Sequence, residues 1–152
     1  MANWITVKAE EYCDAVCDGT HESPKVVDEG YRLVTSRHIV DGDIRTEEAN
    51  RISEADYVRI NERSKVNRND VLISMIGTVG RVCRVSFEPN FAIKNIGLFK
   101  ITEEIRSKYL YYYLHSKRAR DYILSVMAGS TQAYISLGSL RELPVCYPAD
   151  RS

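Results

Sequence analysis

The sequence predicts an α+β fold in which a twisted mixed or antiparallel sheet is followed by C-terminal helices. β-rich segments separated by turn signals occupy the chain as far as Ile101, and apolar residues take up helical spacing beyond it. Strands and helices do not alternate regularly, which argues against a parallel α/β sheet. The length of 152 residues suits one domain, and no repeat or low-complexity linker divides residues 1–152.

The N-terminal half is expected to contain short elements joined by polar turns. Serine is a favoured helix N-cap because its hydroxyl accepts a backbone N–H of the first turn, and Asp-Gly pairs mark tight turns. The expected elements are a helix over residues 9–17 closed by Gly19, a loop over 18–24, a strand over 31–35, a hairpin that turns at Asp41-Gly42-Asp43, and a helix over 53–60 capped by Ser53.

The middle of the chain carries the clearest β signal. Val71–Ile76 is rich in β-branched residues, Gly77-Thr78-Val79-Gly80 predicts a tight connection, and Arg81–Phe87 predicts the return strand. Phe91–Ile101 predicts a further strand with Gly97 as a candidate bulge. We expect the central sheet to include residues 71–76, 81–86 and 91–101.

Helices are expected from about residue 103 to residue 128. Ser116 can cap the second of two helical segments, and Gly129 can end it. Apolar residues in this second segment recur at helical spacing and would form one buried stripe. The stripe consists of Ala119, Tyr122, Ile123, Val126 and Met127. A last short strand is expected over residues 143–147.

The formal net charge is zero, but the charges are unevenly distributed along the chain. Residues 1–58 hold 6 basic and 13 acidic residues, whereas residues 59–100 hold 8 basic and 3 acidic residues. Residues 101–152 hold 7 basic and 5 acidic residues. The middle third can therefore present a basic face, while solvated surface charge is the alternative interpretation.

Nothing in the sequence predicts export or membrane insertion. No apolar run approaches the ~18 residues that span a membrane, and the N-terminus lacks the pattern of a signal peptide. Four unevenly placed cysteines fit a reducing compartment better than a disulfide framework. We therefore expect a cytoplasmic protein.

The motifs of common catalytic sites are missing from the sequence. No phosphate-binding glycine loop, nucleophile motif or methyltransferase tetrapeptide is present, so we expect no catalytic residues and no cofactor. Cys13, Cys17 and His21 would share one face of a continuous helix, but two core cysteines and an unrelated loop histidine are the favoured interpretation, with no metal. Tyr111-Tyr112-Tyr113 favours packing over base stacking, since three consecutive helical residues point in three directions.

Several loop segments, in order and spacing, resemble the target-recognition domain of a type I restriction-modification specificity subunit. The resemblance covers the chain from about Trp4 to Pro148. It is carried by Asp18-Gly19-Thr20-His21-Glu22-Ser23-Pro24-Lys25; Gly30 with Thr35-Ser36-Arg37-His38-Ile39 and Gly42-Asp43-Ile44; Asn69-Asp70-Val71-Leu72-Ile73-Ser74-Met75-Ile76-Gly77-Thr78-Val79-Gly80-Arg81; and Gly129-Ser130-Thr131-Gln132 with Ile135, Leu140, Leu143-Pro144-Val145 and Pro148.

The resemblance implies a non-catalytic module that reads double-stranded DNA and directs adenine methylation and restriction by partner subunits. Such subunits usually hold two recognition domains apart with long helices, on which methyltransferase subunits dock and through which the restriction subunit is reached. No spacer helix follows Pro148 in this sequence. We therefore expect a further segment or a partner to supply the spacer, and a second recognition domain is a candidate partner.

Polar and basic loop residues are the candidates for DNA contact, because bases are read by hydrogen-bonding side chains and phosphates by cations. The candidate base readers are Ser36, Arg37, His38, Lys94, Asn95, Thr131 and Gln132. The candidate phosphate contacts are Lys25, Lys65, Arg68, Arg81 and Arg84, of which Arg68, Arg81 and Arg84 flank the central hairpin and suggest a basic edge.

Two alternatives remain at this point. The chain can be a protein-interaction module that kept the fold without DNA affinity, which the zero net charge favours, or a recognition domain from a fused restriction-methylation enzyme. Motif residues such as His21, Gly77, Gly80 and Gln132 can also hold the fold while other residues touch bases.

Overall fold

The computed structural model describes residues 3–127 and 133–149. The strands, in chain order, are β1 Trp4–Lys8, β2 Ala15–Asp18, β3 Tyr31–Val34, β4 Ile39–Val40, β5 Asp43–Ile44, β6 Asn50–Ile52, β7 Val71–Ser74, β8 Val82–Arg84, β9 Phe91–Ile93, β10 Ile96–Lys100 and β11 Pro144–Pro148. The α-helices are α1 Ala9–Tyr12, α2 Glu54–Ser64, α3 Glu104–Tyr113, α4 Lys117–Met127 and α5 Leu137–Glu142. Short 3₁₀ turns cover Ser36–His38 and Thr46–Glu48.

The predicted α+β fold is confirmed, and an antiparallel four-stranded sheet in the order β2-β10-β7-β8 lies at its centre. Strand β7 is buried at every position, which fits its β-branched, apolar sequence. Helices α3, α4 and α5 contribute to the core on one face of this sheet, through residues such as Leu110, Ile123 and Leu140. A second core cluster, with Phe91, lies between this sheet and its neighbour.

A smaller sheet in the order β6-β3-β9 lies beside the central one, with β3 parallel to β9 and antiparallel to β6. The single strand expected over residues 91–101 is therefore wrong: it divides into β9 and β10, which belong to different sheets. Asn95 adopts φ 55°, a left-handed conformation that asparagine tolerates and that turns the chain between the strands. Gly97 is not a bulge, since it pairs regularly with Asp18 and Ile73.

The N-terminal helix expected over residues 9–17 is also wrong beyond its first turn. Helix α1 ends at Tyr12, and Ala15–Asp18 instead forms β2 against β10. Three strands and helices were not expected at all: β1, which pairs with β11; β6, which pairs with β3; and α5, which is capped by Ser136 through the backbone N–H of Ser139 at 3.0 Å.

The other local expectations are close to the observed elements. Ser53 caps α2 by accepting the backbone N–H of Asp56 at 3.1 Å, and strands β4 and β5 form the hairpin around Asp41 and Gly42. Ser116 accepts the backbone N–H of Ala119 at 3.2 Å and begins α4. Gly129, expected to end this helix, lies outside the described residues. Among the described helices, none has the length and apolar character of a membrane span.

Candidate nucleic-acid interface

A depression of about 500 Å³ lies where the loops after β3 and β7 meet the crossover between β9 and β10. We call it the loop groove, and its lining consists of Thr35, Ser36, Arg37, Ile76, Gly77, Thr78, Arg81, Lys94 and Asn95. A second depression of about 370 Å³ shares Thr35, Arg37 and Lys94 with the loop groove and extends it towards Ser23 and Pro24.

The crossover residues Lys94 and Asn95 are fixed by backbone hydrogen bonds to the segments on either side. The N–H of Lys94 donates to the carbonyl of Val34 at 2.9 Å, and the N–H of Asn95 donates to the carbonyl of Thr20 at 3.1 Å. Thr20 in turn donates its N–H to Ile93 at 3.0 Å. These bonds bring the loop after β2, the turn after β3 and the crossover to one place.

Ser74 holds the loop after β7 through two hydrogen bonds of its hydroxyl group. Its hydroxyl donates to the carbonyl of Thr78 at 2.5 Å and accepts the backbone N–H of Arg81 at 2.9 Å. Gly80 lies at φ +91°, and a β-carbon there would come within 2.5 Å of the Arg120 guanidinium, which donates to the Gly80 carbonyl. Glycine is therefore required for this loop to lie against α4.

Three cations of the loop groove have no acidic partner within residues 3–127 and 133–149. Among the residues that the structure describes, Arg37, Arg81 and Lys94 take part in no ion pair. Arg81 donates to the carbonyl of Ile39 at 3.3 Å, and the Lys94 ammonium donates to the Ser23 hydroxyl at 2.7 Å. Both side chains are thus oriented by neutral groups and keep their charge for a ligand.

Two of the candidate base readers are interior residues. Ser36 and His38 are buried; Nδ1 of His38 accepts the backbone N–H of Thr35 at 2.9 Å, and the Ser36 hydroxyl donates to the carbonyl of Asn95 at 3.4 Å. Burial, together with the neighbouring Arg37 guanidinium, lowers the pKa of His38. These contacts hold the turn after β3 in shape, and they leave little of either side chain open to solvent.

The structure places Arg81 apart from Arg68 and Arg84, so the three arginines do not form one basic edge. Arg84 pairs opposite Val71, at the start of β7, whereas Arg81 follows the loop at the other end of that strand. Three residues of extended strand separate the two ends by about 10 Å. Arg68 lies with Arg84 and forms an ion pair with Glu88 at 3.2 Å.

The remaining candidates lie in different places. Lys65 follows α2 at the Arg84 end of the sheet, where its carbonyl accepts the Lys100 ammonium at 2.7 Å. Lys25 is exposed and follows Pro24, which lines the second depression. Thr131 and Gln132 lie outside the described residues, which resume at Ala133.

The sequence did not reveal a set of polar residues behind the groove. The Asp18 carboxylate, with a side chain that is only 7% exposed, accepts Arg63 at 2.6 Å and contacts His21 at 2.8 Å. The other ring nitrogen of His21 contacts the Asn95 side chain at 3.0 Å. Because Arg63 is 45 residues from Asp18 and Asn95 is 74 residues from His21, only the fold could reveal this set.

The alternative metal cluster of Cys13, Cys17 and His21 does not assemble on one helical face, because α1 ends at Tyr12. Burial raises the pKa of the Cys13 thiol to about 12, as suits a small core side chain. No group of three potential ligands comes together elsewhere among residues 3–127 and 133–149.

Comparisons with known proteins agree on one family. A family model described as the type I restriction modification DNA specificity domain matches residues 23–151. The fold is similar to the S subunit of a type I restriction-modification system from M. genitalium, with a TM-score of 0.62 and 18% identity over 99% of this chain and 36% of that one. It is also similar to an HsdS subunit from Thermoanaerobacter tengcongensis, with a TM-score of 0.65 and 20% identity over 95% of this chain and 33% of that one.

A third solved structure, from work on complex assembly and conformational transition of the type I R-M system, gives a TM-score of 0.66 with 20% identity over 95% of this chain and 34% of that one. No curated protein sequence matches significantly. The chain thus spans about a third of the length of the solved structures that it resembles.

Proposed function

Because this chain belongs to the family of type I restriction modification DNA specificity domains, we propose that it recognises a double-stranded DNA sequence through the loop groove. The observation that carries the choice of surface is the convergence of three cations, Arg37, Arg81 and Lys94, in one depression. Within the part of the chain that the structure describes, none of the three has an acidic partner. Cations fix the register on the phosphates, while neighbouring polar groups read base edges.

Within the loop groove, the roles divide by chemistry. Lys94 suits a phosphate, since it is a point charge, whereas Arg37 and Arg81 suit either phosphate or the O6 and N7 atoms of guanine. Thr78 and Asn95 supply the uncharged hydrogen-bonding groups. Gly77 has open space around its backbone, which allows close approach to a groove wall.

The role in the complete system follows from the family. The chain supplies sequence recognition without chemistry of its own, and partner methyltransferase subunits, with a restriction subunit reached through them, carry out adenine methylation and cleavage. Lys25 extends the contact surface from the second depression, and Thr131 and Gln132 remain candidate readers.

Two matched triple variants test the location of the DNA-binding surface. One variant carries Arg37→Ala, Arg81→Ala and Lys94→Ala, and the control carries Lys65→Ala, Arg68→Ala and Arg84→Ala, with the same change in net charge. The ligand is the duplex obtained by selection from random DNA with the chain assembled with its partner subunits. We expect the groove variant to bind this duplex at least tenfold more weakly than the control variant, because each lost phosphate contact removes counterion release.

Circular dichroism must show both variants folded before their affinities are compared. Equal losses in the two variants would remove the loop groove from the proposal, since total charge alone would then account for binding. Failure to select any duplex would count against DNA recognition itself.

A further inference from the structure

Four polar side chains form a continuous hydrogen-bonded relay that ends in the loop groove. The Arg63 guanidinium donates to Asp18 at 2.6 Å, Asp18 contacts Nε2 of His21 at 2.8 Å, and Nδ1 of His21 contacts Oδ1 of Asn95 at 3.0 Å. Arg63 also donates to the backbone carbonyls of Asp18 and Gly19 at 3.0 Å and 2.9 Å, so the carboxylate cannot easily swing away.

The hydrogen-bonding capacity of these groups links the protonation of His21 to the orientation of the Asn95 amide. An ionised carboxylate only accepts, so the contact with Asp18 keeps a proton on Nε2 of His21. A neutral imidazole then has a bare Nδ1, which must accept, and Asn95 has to turn its Nδ2 towards it. A protonated imidazole carries a second N–H at Nδ1, and Asn95 then turns Oδ1 towards it.

We propose that Asn95 is a base-reading residue whose exposed amide atom is set by His21, so that the base atom it prefers changes with the protonation of that histidine. With His21 neutral, the amide oxygen faces the loop groove and accepts from an exocyclic amino group such as N6 of adenine. With His21 protonated, the amide nitrogen faces the groove and donates to N7. This inference rests on the proposed function.

The other charged groups around His21 are held by neighbouring residues. Glu22 and Arg59, which line the same depression as His21, form an ion pair at 2.7 Å. From the crossover, the Lys94 ammonium is directed to Ser23. Asp18 and Arg63 complete the set of charged groups that face the ring from the loop and from α2. Protonation of His21 is therefore the change that reorients Asn95, rather than movement of a neighbouring ion.

Base analogues at the adenines of the selected duplex test the proposal. Purine lacks the N6 amino group, and 7-deazaadenine lacks N7. While the His21 ring is neutral, we expect one position at which purine weakens binding about tenfold and 7-deazaadenine has a smaller effect. At a pH low enough to protonate the ring, the order should reverse. The Asn95→Ala variant is expected to be indifferent to both analogues at that position.

The variant His21→Gln has no ring to protonate and should lose the reversal. The control His115→Gln, which removes an exposed histidine outside the relay, should keep it. In the free protein, the Asn95 side-chain NH₂ resonances should shift together with the His21 ring resonances as the pH is lowered.

Three results separate the possible failures. A reversal that persists in His21→Gln, or amide resonances of Asn95 that do not follow His21, would overturn the relay. Unchanged sensitivity to both analogues in Asn95→Ala would overturn its role as a reader while leaving DNA recognition intact. A wild-type chain that binds no duplex at either pH would overturn the proposed function, and this inference with it.

Discussion

At the scale of single residues, buried charges hold together segments that are distant in sequence. The Asp70 side chain is only 2% exposed, and it accepts the Lys100 ammonium at 2.5 Å and the backbone N–H groups of Asn67 and Ile101 at 2.7 Å and 3.2 Å. Burial raises the pKa of Asp70, and the ammonium of Lys100 is the strongest of the groups that oppose this rise. The pair therefore joins the turn before β7 to the end of β10.

Replacing Lys100 with methionine should lower the free energy of unfolding at pH 7 by about 3 kcal/mol, because a buried carboxylate then loses its ammonium. Without Lys100, burial keeps the pKa of Asp70 above its ordinary value, so the folded variant binds the proton more tightly than the unfolded chain. The deficit should shrink as the pH falls from 7 through that raised pKa. Urea denaturation at several pH values measures both effects.

The matched control for this change is Lys108→Met, which breaks an exposed pair with Glu104 at 3.4 Å and should alter stability by less than about 0.5 kcal/mol. A Lys100→Met deficit as small as that of the control, or one that grows in acid, would contradict the assignment.

At the scale of elements, signals confined to neighbouring residues predicted structure well. Ser53 and Ser116 cap helices as expected, because a cap depends on the next three residues. Segments whose structure depends on distant partners were predicted wrongly. Ala15–Asp18 has a helical pattern but pairs with β10. The left-handed backbone of Asn95 separates β9 from β10, which the local sequence did not indicate. Pairing between strands some 80 residues apart leaves no pattern in the local sequence that could predict it.

The same limit applies to the candidate site. Arg37, Arg81, Lys94 and Asn95 were nominated from the sequence, and the structure brings them together in one depression. Their separation from Arg68 and Arg84 could not be foreseen, because it depends on which end of β7 each loop adjoins.

The substitution Gly19→Ala tests how closely these elements pack, because Gly19 follows β2 and lies against Ile93 of β9. A β-carbon at this position would lie 2.3 Å from the carbonyl oxygen of Ile93, which is backbone and cannot turn aside. We expect Gly19→Ala to lower the free energy of unfolding by about 2–3 kcal/mol, as overpacking does. Gly138→Ala is the control: Gly138 lies in α5, where a β-carbon would make an ordinary contact with the Ser136 hydroxyl at 3.8 Å, and helix propensity should raise stability by about 0.5–1 kcal/mol. Equal effects in thermal denaturation would show that β2 can move away from β9.

At the scale of the whole molecule, the zero net charge conceals a separation of charge. The basic excess of residues 59–100 opposes the acidic excess of residues 1–58, yet Arg37 from the acidic segment lies in the loop groove with Arg81 and Lys94 from the basic one. The long-range field of the molecule is therefore weak, and attraction to phosphate is confined to a few close contacts.

This separation predicts how the binding of the lone chain to duplex DNA responds to salt. If the three groove cations neutralise about three phosphates, the logarithm of the association constant should fall with the logarithm of salt concentration with a slope of about −2.7. The affinity should then drop about 40-fold between 50 and 200 mM salt.

Fluorescence anisotropy of a labelled duplex containing the selected sequence measures the slope, and removal of all three cations should flatten it nearly to zero. The triple variant of Lys65, Arg68 and Arg84 should keep the wild-type slope, because those cations lie at the other end of the sheet. A wild-type slope steeper than about −6 would require phosphate contacts well beyond the loop groove. An affinity that does not depend on salt would show that the loop groove binds no phosphate.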